Sequence, residues 1–281
     1  MKINFTKMQG CGNDYVYISG FSEKIPAEKK PDFVRRMSDR HFGIGGDGVI
    51  FVNPSKLADF EMEMYNADGT RAEMCGNGIR CVAKFVYDKG LTDKEEITVE
   101  SFGQVKYLRL FTEEGKVKSV RVDMGEPILT AEEIPVVCSR EQAVAEPIEA
   151  AGTVYEMTCV SMGNPHAVVY MDDVAGLEIE KTGPFFENHS RFPRRVNTEF
   201  VKVLDRNTVE MRVWERGSGE TLACGTGCCA VAVACVLNGL TERKVTVKVL
   251  GGRLEIEWDE KTNRVYMTGP AETVFEGSVE D

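Results

Sequence analysis

Two stretches of the chain carry the apolar pattern of a helix, and each follows directly on a Cys-Gly-x-Gly motif. After Cys75, apolar residues recur at the spacing of one helix face, and Gly90 is expected to end this helix. After Cys224, the run 228–237 is apolar on every side. A helix that is apolar all round must be buried, so this second helix predicts a sheet that curves around it.

Segments with strand character surround both helices. They are rich in β-branched and aromatic residues and are bounded by turn-forming residues. We therefore expect an α+β fold in which a curved, mostly antiparallel sheet wraps around a central helix in each half of the chain. The predicted strands are 14–19, 49–52, 96–101, 105–111 and 117–123 in the first half, and 167–171, 198–204, 209–214, 245–250 and 253–258 in the second.

The same landmarks occur twice, in the same order, about half a chain apart. A collinear series with a nearly fixed offset is hard to explain by chance among 27 glycines, and it indicates two homologous domains. The pairs are Cys75 with Cys224 (224 − 75 = 149), Gly90 with Gly239 (239 − 90 = 149), Gly103 with Gly252 (252 − 103 = 149), Gly12 with Gly163 (163 − 12 = 151) and, as the weakest, Asp47 with Asn197 (197 − 47 = 150).

The repeat predicts a domain boundary near Glu126 and Pro127. The N-terminal domain would span residues 1–126 and carry Cys75, and the C-terminal domain would span 127–281 and carry Cys224. The last strand is expected to pack back on the first domain. An active site is expected in the cleft between the domains, with one Cys-Gly-x-Gly motif from each.

Composition narrows the class of function. The chain has 45 acidic and 34 basic residues, a net charge of −11, which argues against a nucleic-acid partner. We expect a cytoplasmic protein with no membrane partner, because no signal peptide is visible and the apolar run 228–237 is too short to span a bilayer. The nine cysteines are then expected to be reduced thiols.

The position of Cys75 and Cys224 at helix starts suggests chemistry. Free backbone N–H groups and the helix dipole favour a thiolate there, which predicts a lowered pKa for both thiols. A lone cysteine in this place is more often a buried structural thiol, but its presence at both repeat positions favours catalysis. Two thiols on opposite faces of one carbon would remove and return an α-proton. The N–H groups of Gly76-Asn77 and Gly225-Thr226 would hold the carboxylate and stabilise the carbanion.

Neither a metal nor a cofactor is expected. The cysteines after Cys224 lack CxxC spacing, the three histidines are scattered, and no lysine motif for pyridoxal phosphate is apparent. We interpret six further cysteines as packing residues and leave Cys11, in a glycine-flanked loop, undecided. The six are Cys81, Cys138, Cys159, Cys228, Cys229 and Cys235.

Several polar residues near the motifs admit two interpretations. Each asparagine could be a turn or strand-entry residue or could point its amide at a ligand. Glu215 and Arg216 could be a solvated charge pair, or they could accept from an ammonium and fork a carboxylate. His166 could be a satisfied loop histidine or a site donor. The asparagines in question are Asn13, Asn66, Asn164 and Asn197.

Taken together, these motifs resemble the diaminopimelate epimerase family along nearly the whole chain. The shared segments are 12–15, 43–48, 65–69, 74–80, 163–166, 196–197, 214–217 and 223–227. The resemblance implies a cofactor-independent isomerase that interconverts LL- and meso-diaminopimelate in lysine biosynthesis, commonly as a homodimer whose domains close on the substrate. It implies Cys75 and Cys224 as the acid–base pair, with His166 and Glu215 supporting catalysis. It implies substrate contacts from Asn13, Asn66, Gly76, Asn77, Asn164, Asn197, Glu215, Arg216, Gly225 and Thr226.

The chain departs from the family pattern at one position, and several related families remain as alternatives. Some family members carry Gln where this chain has Gly48, which removes one possible side-chain contact. Proline and hydroxyproline racemases resemble the chain at both cysteines but typically carry His at the position of Asn77, and histidine racemases are closer still. A non-catalytic or phenazine-type relative of the fold should lack one or both cysteines.

Overall fold

The computed structural model describes residues 2–72 and 74–280, and the chain divides into two compact units. Unit 1 contains the described residues up to Val122 together with those from Gly269 onward, and unit 2 is Asp123–Thr268. The first boundary lies within four residues of the position that the repeat predicts (126 − 122 = 4). The C-terminal segment clusters with unit 1 because its strand pairs with the first strand of the chain.

Unit 1 surrounds its second helix with strands from both ends of the chain. Its strands are β1 (Lys2–Gly10), β2 (Asn13–Ser19), β3 (Gly48–Asn53), β4 (Phe60–Asn66), β5 (Arg71–Ala72), β6 (Glu96–Ser101), β7 (Gln104–Glu113) and β8 (Lys116–Gly125, which runs across the boundary). Its helices are α1 (Lys30–Ser38), preceded by a 3-10 turn at Ala27–Lys29, and α2 (Gly76–Asp88).

Unit 2 repeats this order of elements. Its strands are β9 (Glu146–Ala150), β10 (Thr153–Ser161), β11 (Pro165–Tyr170), β12 (Asn197–Asp205), β13 (Thr208–Glu215), β14 (Gly219–Thr221), β15 (Lys244–Val249), β16 (Gly252–Trp258) and β17 (Val265–Pro270). Its helices are α3 (Ile179–Glu187) and α4 (Gly225–Leu237). The final strand, β18 (Glu272–Glu280), pairs antiparallel with β1 in unit 1.

The strand pairings are the same in the two units. Parallel pairs join β2 to β3 and β4 to β6 in unit 1, and β11 to β12 and β13 to β15 in unit 2. Val49 lies opposite Tyr65 in unit 1, and Thr198 lies opposite Trp214 in unit 2, which keeps the offset of 149 (198 − 49 = 214 − 65 = 149). The register of the sheets therefore supports the internal repeat that the sequence motifs predict.

One repeat match from the sequence is wrong by a residue. Tyr15 lies opposite Gly48 in unit 1, and His166 lies opposite Asn197 in unit 2. Asn197 is therefore the equivalent of Gly48 (197 − 48 = 149) and not of Asp47. The error has a simple cause, because Asp and Asn look alike in a sequence comparison, whereas strand register distinguishes adjacent residues by the face on which they lie.

Helix α4 forms the core of unit 2. Ten of its thirteen residues are buried, all of them Gly, Ala, Val or Cys, and the helix contacts β10, β11, β12, β15 and β16. Small side chains allow these strands to approach the helix from several sides, as the apolar pattern predicts. Helix α2 occupies the same place in unit 1 and contacts β1, β2 and β7, but it buries a guanidinium, that of Arg80.

Several elements were not predicted from the sequence. Helices α1 and α3 pack outside the sheets, with Phe33 in one apolar cluster and Phe186 in the other. Each helix has nine residues and contains a proline, so its helical periodicity is weak. Strands β4, β5, β9, β10, β14 and β17 were not predicted either. Within the described ranges, no helix has the length and apolarity needed to cross a membrane.

Candidate active site

Cys75 is the residue that caps the N-terminus of α2. Its backbone is extended (φ −132°, ψ 112°), and its sulfur accepts a hydrogen bond from the Gly78 N–H at 3.2 Å. A side chain that accepts from the first turn satisfies one of the N–H groups that a helix start leaves open. The thiol is half-buried and also lies 3.0 Å from Asn13 Oδ1. The predicted helix-start geometry is therefore present in unit 1.

The amide of Asn13 is held in one orientation by Asp47. Asn13 Nδ2 donates to Asp47 Oδ2 at 2.7 Å, which turns the amide oxygen toward the Cys75 sulfur. A carboxylate can only accept, so the group facing Asp47 must be the NH2. Arg40 in turn contacts both Asp14 and Asp47, at 2.8 and 2.9 Å. The sequence did not single out Asp47 as a site residue.

Two other predicted residues of unit 1 lie in the same region of the fold. Asn77 is buried, and its Oδ1 accepts from the buried Arg80 at 3.0 Å, so its side chain is turned to the protein. Its backbone, with that of Gly76, remains at the helix start. Asn66 is exposed at the end of β4, where its amide donates to Thr70 Oγ1.

Gly48 allows two backbones to approach closely. A methyl group built on Gly48 would come within 2.0 Å of the Tyr65 carbonyl oxygen and 2.9 Å of the Tyr15 ring. We therefore expect that Gly48→Gln and Gly48→Ala each lower the free energy of unfolding by about 1–3 kcal/mol, as overpacked cores do. Chemical denaturation measures this effect, and a Gly48→Gln variant as stable as the parent would contradict it.

Cys224 occupies the equivalent position at the N-terminus of α4, with an extended backbone of φ −112° and ψ 111°. It is more buried than Cys75, with only 6% of its surface exposed. Its sulfur lies 3.5 Å from the hydroxyl of Thr226 in the first helical turn. Both cysteines thus occupy equivalent helix starts, but their surroundings differ.

The pKa of Cys224 contradicts the expectation of a thiol activated by the helix start. Burial raises the pKa of Cys224 well above its usual value, and the nearby carboxylates of Glu215 and Glu199 raise it further. The Thr226 hydroxyl and the Gly227 N–H act in the opposite direction but do not prevail. The prediction from the sequence was wrong here because it counted the helix dipole and neither the burial of the thiol nor the nearby carboxylates.

Glu215 stands beside Cys224 at the end of β13. Burial raises its pKa above the ordinary value for glutamate, and hydrogen bonds from Thr221 and Cys224 partly offset that increase. The Thr221 hydroxyl donates to Glu215 Oε1. A carboxyl with a raised pKa next to a thiol can exchange a proton with it, so this contact is suited to acid–base chemistry.

His166 lies in a buried chain of hydrogen bonds. Its Nδ1 is 2.7 Å from Glu199 Oε1, its Nε2 is 3.0 Å from Asn164 Oδ1, and the side chains of His166 and Glu199 are fully buried. As oriented, both ring nitrogens face oxygen atoms, so the imidazole links the carboxylate of Glu199 to the amide oxygen of Asn164. Asn164 is then left with its NH2 group to donate elsewhere.

Asn197 and Arg216 are joined through the backbone. Asn197 Oδ1 accepts from the Arg216 N–H at 2.8 Å, and its Nδ2 donates to the Pro165 carbonyl at 3.1 Å. Arg216 as a residue is half-buried, and its guanidinium donates to the Arg194 carbonyl at 3.0 Å. Asn197 therefore positions the turn that carries Arg216, and the guanidinium retains further donors for a ligand.

Glu199 is the main residue that sequence reasoning missed in unit 2. It interrupts the apolar strand 198–204 at a fully buried position. A charged residue is almost never fully buried without a partner, so a single Glu within a strand of that kind was the available signal. The residue pattern of the strand does not show whether the Glu199 side chain points into the protein or toward solvent.

The remaining cysteines are reduced thiols. All six predicted packing cysteines are buried except the half-buried Cys138. Burial raises the pKa of Cys81 to about 11, and of Cys159 and Cys235 to about 12. Cys11 is buried beside Arg80 and has a positive φ of 52°.

Fold and site together define a duplicated α+β protein that presents a cysteine-capped helix in each of its two units. The sequence model of the family described as diaminopimelate epimerase matches residues 5–130 and 158–274. A diaminopimelate epimerase from Agathobacter rectalis is 59% identical over 285 residues and covers 99% of both chains. Another from Methanococcus maripaludis is 57% identical over 278 residues, which cover 99% of this chain and 100% of the relative. The chain belongs to the diaminopimelate epimerase family, and it is an isomerase.

Solved structures share the fold at low sequence identity. A phenazine biosynthesis protein of the PhzF family from Bacillus anthracis superposes with a TM-score of 0.72 at 15% identity over 100% of both chains. A probable proline racemase from Agrobacterium radiobacter K84 gives a TM-score of 0.69 at 15% identity, over 99% of this chain and 93% of the other. These likenesses confirm the predicted α+β fold class.

Proposed function

We propose that the chain interconverts LL- and meso-diaminopimelate by two-base chemistry at Cys75 and Cys224, within lysine biosynthesis. The observation that carries the proposal is the equivalent placement of the two cysteines, each capping the N-terminus of the buried central helix of its unit. Family membership supports the substrate. The proposal requires that the two sulfurs reach opposite faces of one α-carbon.

The reaction conserves protons at every step. One sulfur, as a thiolate, takes the α-proton and becomes a thiol, while the opposite thiol gives its proton to the other face of the carbon and becomes a thiolate. The electron pair of the broken C–H bond is delocalised onto the α-carboxylate in between. The N–H groups of Gly76-Asn77 and Gly225-Thr226 would stabilise this charge, because helix N-termini favour anions.

The polar groups of unit 2 suit a substrate with a second amino-acid end. Arg216 would pair with the distal carboxylate, while Glu215 would accept from an ammonium. The Asn164 NH2 is available as a donor because its oxygen is engaged by His166. A monofunctional amino acid would leave these groups without partners, which is costly in a closed site.

A substrate panel tests the proposed specificity. We expect epimerisation of LL-diaminopimelate with kcat/KM at least about 10³-fold above that for L-histidine or L-proline, since a site built to bind polar groups rejects analogues that lack them by large factors. Circular dichroism of each reaction measures the change in configuration. Turnover of L-histidine or L-proline at a comparable kcat/KM would assign the chain to a related racemase instead.

The proposal includes the setting in which the enzyme works. It needs neither metal nor cofactor, because thiols and backbone N–H groups supply the proton transfers and the charge stabilisation. We propose a cytoplasmic homodimer, in keeping with the family resemblance. Val274 and Phe275 lie on β18, the strand that pairs with β1, and both side chains are exposed. Exposed apolar surface of this kind supports self-association.

A further inference from the structure

The internal repeat allows the two half-sites to be compared position by position. At the offset of 149, Glu215 corresponds to Asn66 (215 − 66) and Glu199 corresponds to Ile50 (199 − 50). Both carboxylates near Cys224 are therefore replaced by neutral side chains at the equivalent positions near Cys75. The two thiols occupy matching helix starts, but the local charge around them is not matched.

Glu199 lies directly beneath the first turn of α4. A methyl group built on Gly227 would come within 2.5 Å of Glu199 Oε1 and 3.2 Å of Cys224 Cβ. The equivalent methyl group on Gly78 would instead meet Ile50 Cδ1, at 2.8 Å. A carboxylate thus occupies in unit 2 the place that an apolar side chain occupies in unit 1.

The charge of Glu199 is only partly compensated. Its Oε1 is bound by His166, and within the described part of the chain Oε2 has no hydrogen-bond partner although it is fully buried. The carboxylate raises the pKa of both Cys224 and Glu215, which together with His166 are the titratable groups packed against it in this half-site. On its far side, Glu199 also acts on the buried thiol of Cys159.

The surroundings of Cys75 include a buried positive charge at the helix start, although the Asn13 amide oxygen, 3.0 Å from the sulfur, favours the protonated thiol. The buried guanidinium of Arg80 lies one turn into α2 and donates to Gly76 O at 3.1 Å, at the same helix start. Asp47 lies beyond the Asn13 amide and is bound by Arg40. The phenol of Tyr17 donates to the Gly78 carbonyl in the first turn of α2, at 3.2 Å.

We propose that Glu199 is a positioning residue which makes the second half-site the proton donor of the resting enzyme, so that Cys224 starts as the acid and Cys75 as the base. This assignment rests on the proposed two-base function. After one turnover the proton pattern is reversed, with a thiol at Cys75 and a thiolate at Cys224 beside two carboxylates. Repulsion by Glu199 and Glu215 then favours return of one solvent proton to Cys224 and loss of one from Cys75, which resets the enzyme.

The pH dependence of alkylation tests this assignment without any substrate. Iodoacetamide reacts with thiolates, so the midpoint of the rate against pH reports ionisation, and peptide mass spectrometry separates the cysteines. Cys75 is followed in a Cys224→Ala protein and Cys224 in a Cys75→Ala protein, which removes coupling between the two thiols. We expect the lower midpoint for Cys75. A lower midpoint for Cys224 would overturn the proposal.

The role of Glu199 is tested in the Cys75→Ala protein. Glu199→Gln is expected to move the Cys224 midpoint toward lower pH by about one unit or more, the size typical of a nearby charge. Glu199→Asp keeps the charge and should keep the midpoint, as should Glu210→Gln, a matched control on β13 that lies in register with Lys202. An unchanged midpoint in Glu199→Gln, or an equal displacement in Glu199→Asp, would overturn the role of this charge.

A second variant covers the case in which Glu199→Gln does not fold. Glu215→Asn introduces the residue that unit 1 carries at the equivalent position, and it should also lower the Cys224 midpoint. No displacement there would contradict the charge account. Because alkylation needs no substrate, the two experiments fail separately. A substrate panel without epimerisation of LL-diaminopimelate would reject the proposed function but not the order in which the thiols ionise. A lower midpoint for Cys224 would reject that order but not the proposed function.

Discussion

Replacement of either Cys75 or Cys224 by alanine is expected to lower kcat for epimerisation by at least about 10³-fold, because each face of the α-carbon needs its own proton carrier. The two losses should not be additive. Once one sulfur is absent, the second has no complete reaction to support, so the double variant should be about as inactive as either single one. Polarimetry or circular dichroism of LL-diaminopimelate measures the rates.

Cys138→Ala provides the matched control for this prediction. Cys138 is also a free, partly accessible thiol, but it packs against the apolar cluster that contains Ile134 and Phe186. Its replacement should leave kcat within about twofold, because it creates only a small, partly exposed gap away from the helix starts. If one of the Cys75 and Cys224 variants retained full activity, the two-base account would fail.

Replacement of Glu215 by glutamine is expected to reduce activity and to raise the thermal stability of the protein. Glu215 lies beside Cys224 and is proposed to contact the substrate ammonium, so kcat/KM should decrease by about 10²–10⁴-fold, the range for an acid–base group. Stability should change in the other direction, because glutamine removes a carboxylate whose charged form is disfavoured by burial. Such a trade-off is common where a site keeps a group that folding alone would not favour.

The stability effect of Glu215 has a definite dependence on pH. Since burial raises the pKa of this carboxyl, the folded chain binds the proton more tightly than the unfolded chain does. The free energy of unfolding therefore decreases as pH rises from the ordinary glutamate pKa through the raised one, and this loss persists above it. The Tm advantage of Glu215→Gln should be small at acidic pH and larger at neutral pH. An advantage that shrinks with increasing pH would contradict this sign.

The sequence alone predicts the duplicated architecture and the two helices that begin after Cys75 and Cys224. The reason is that the helix after Cys224 is apolar on every side, which permits only a buried position, and the paired glycines preserve the repeat. Short outer helices such as α1 and α3 were beyond this kind of reasoning. Their amphipathic pattern is brief and interrupted by proline, so only tertiary packing determines them.

The electrostatics of the site could not be predicted from motifs. The helix-start argument treats Cys75 and Cys224 alike, whereas in the structure two carboxylates act on Cys224 and the repeat-equivalent positions in unit 1 carry the neutral Asn66 and Ile50. Whether Glu199 points at the helix or at solvent depends on strand register, which a sequence pattern specifies only weakly. The charge around each thiol therefore depends on the fold and not on the motif.

Solvent deuterium provides the most direct test of the central claim that two different thiols serve the two faces of one α-carbon. LL-diaminopimelate is turned over briefly in D2O, and the label in product and in unreacted substrate is measured by mass spectrometry. The two-base account predicts one deuterium at a single α-carbon of essentially every product molecule, and almost none in the remaining substrate. Product that retains the substrate proton, or deuterium that enters substrate as fast as product, would contradict it.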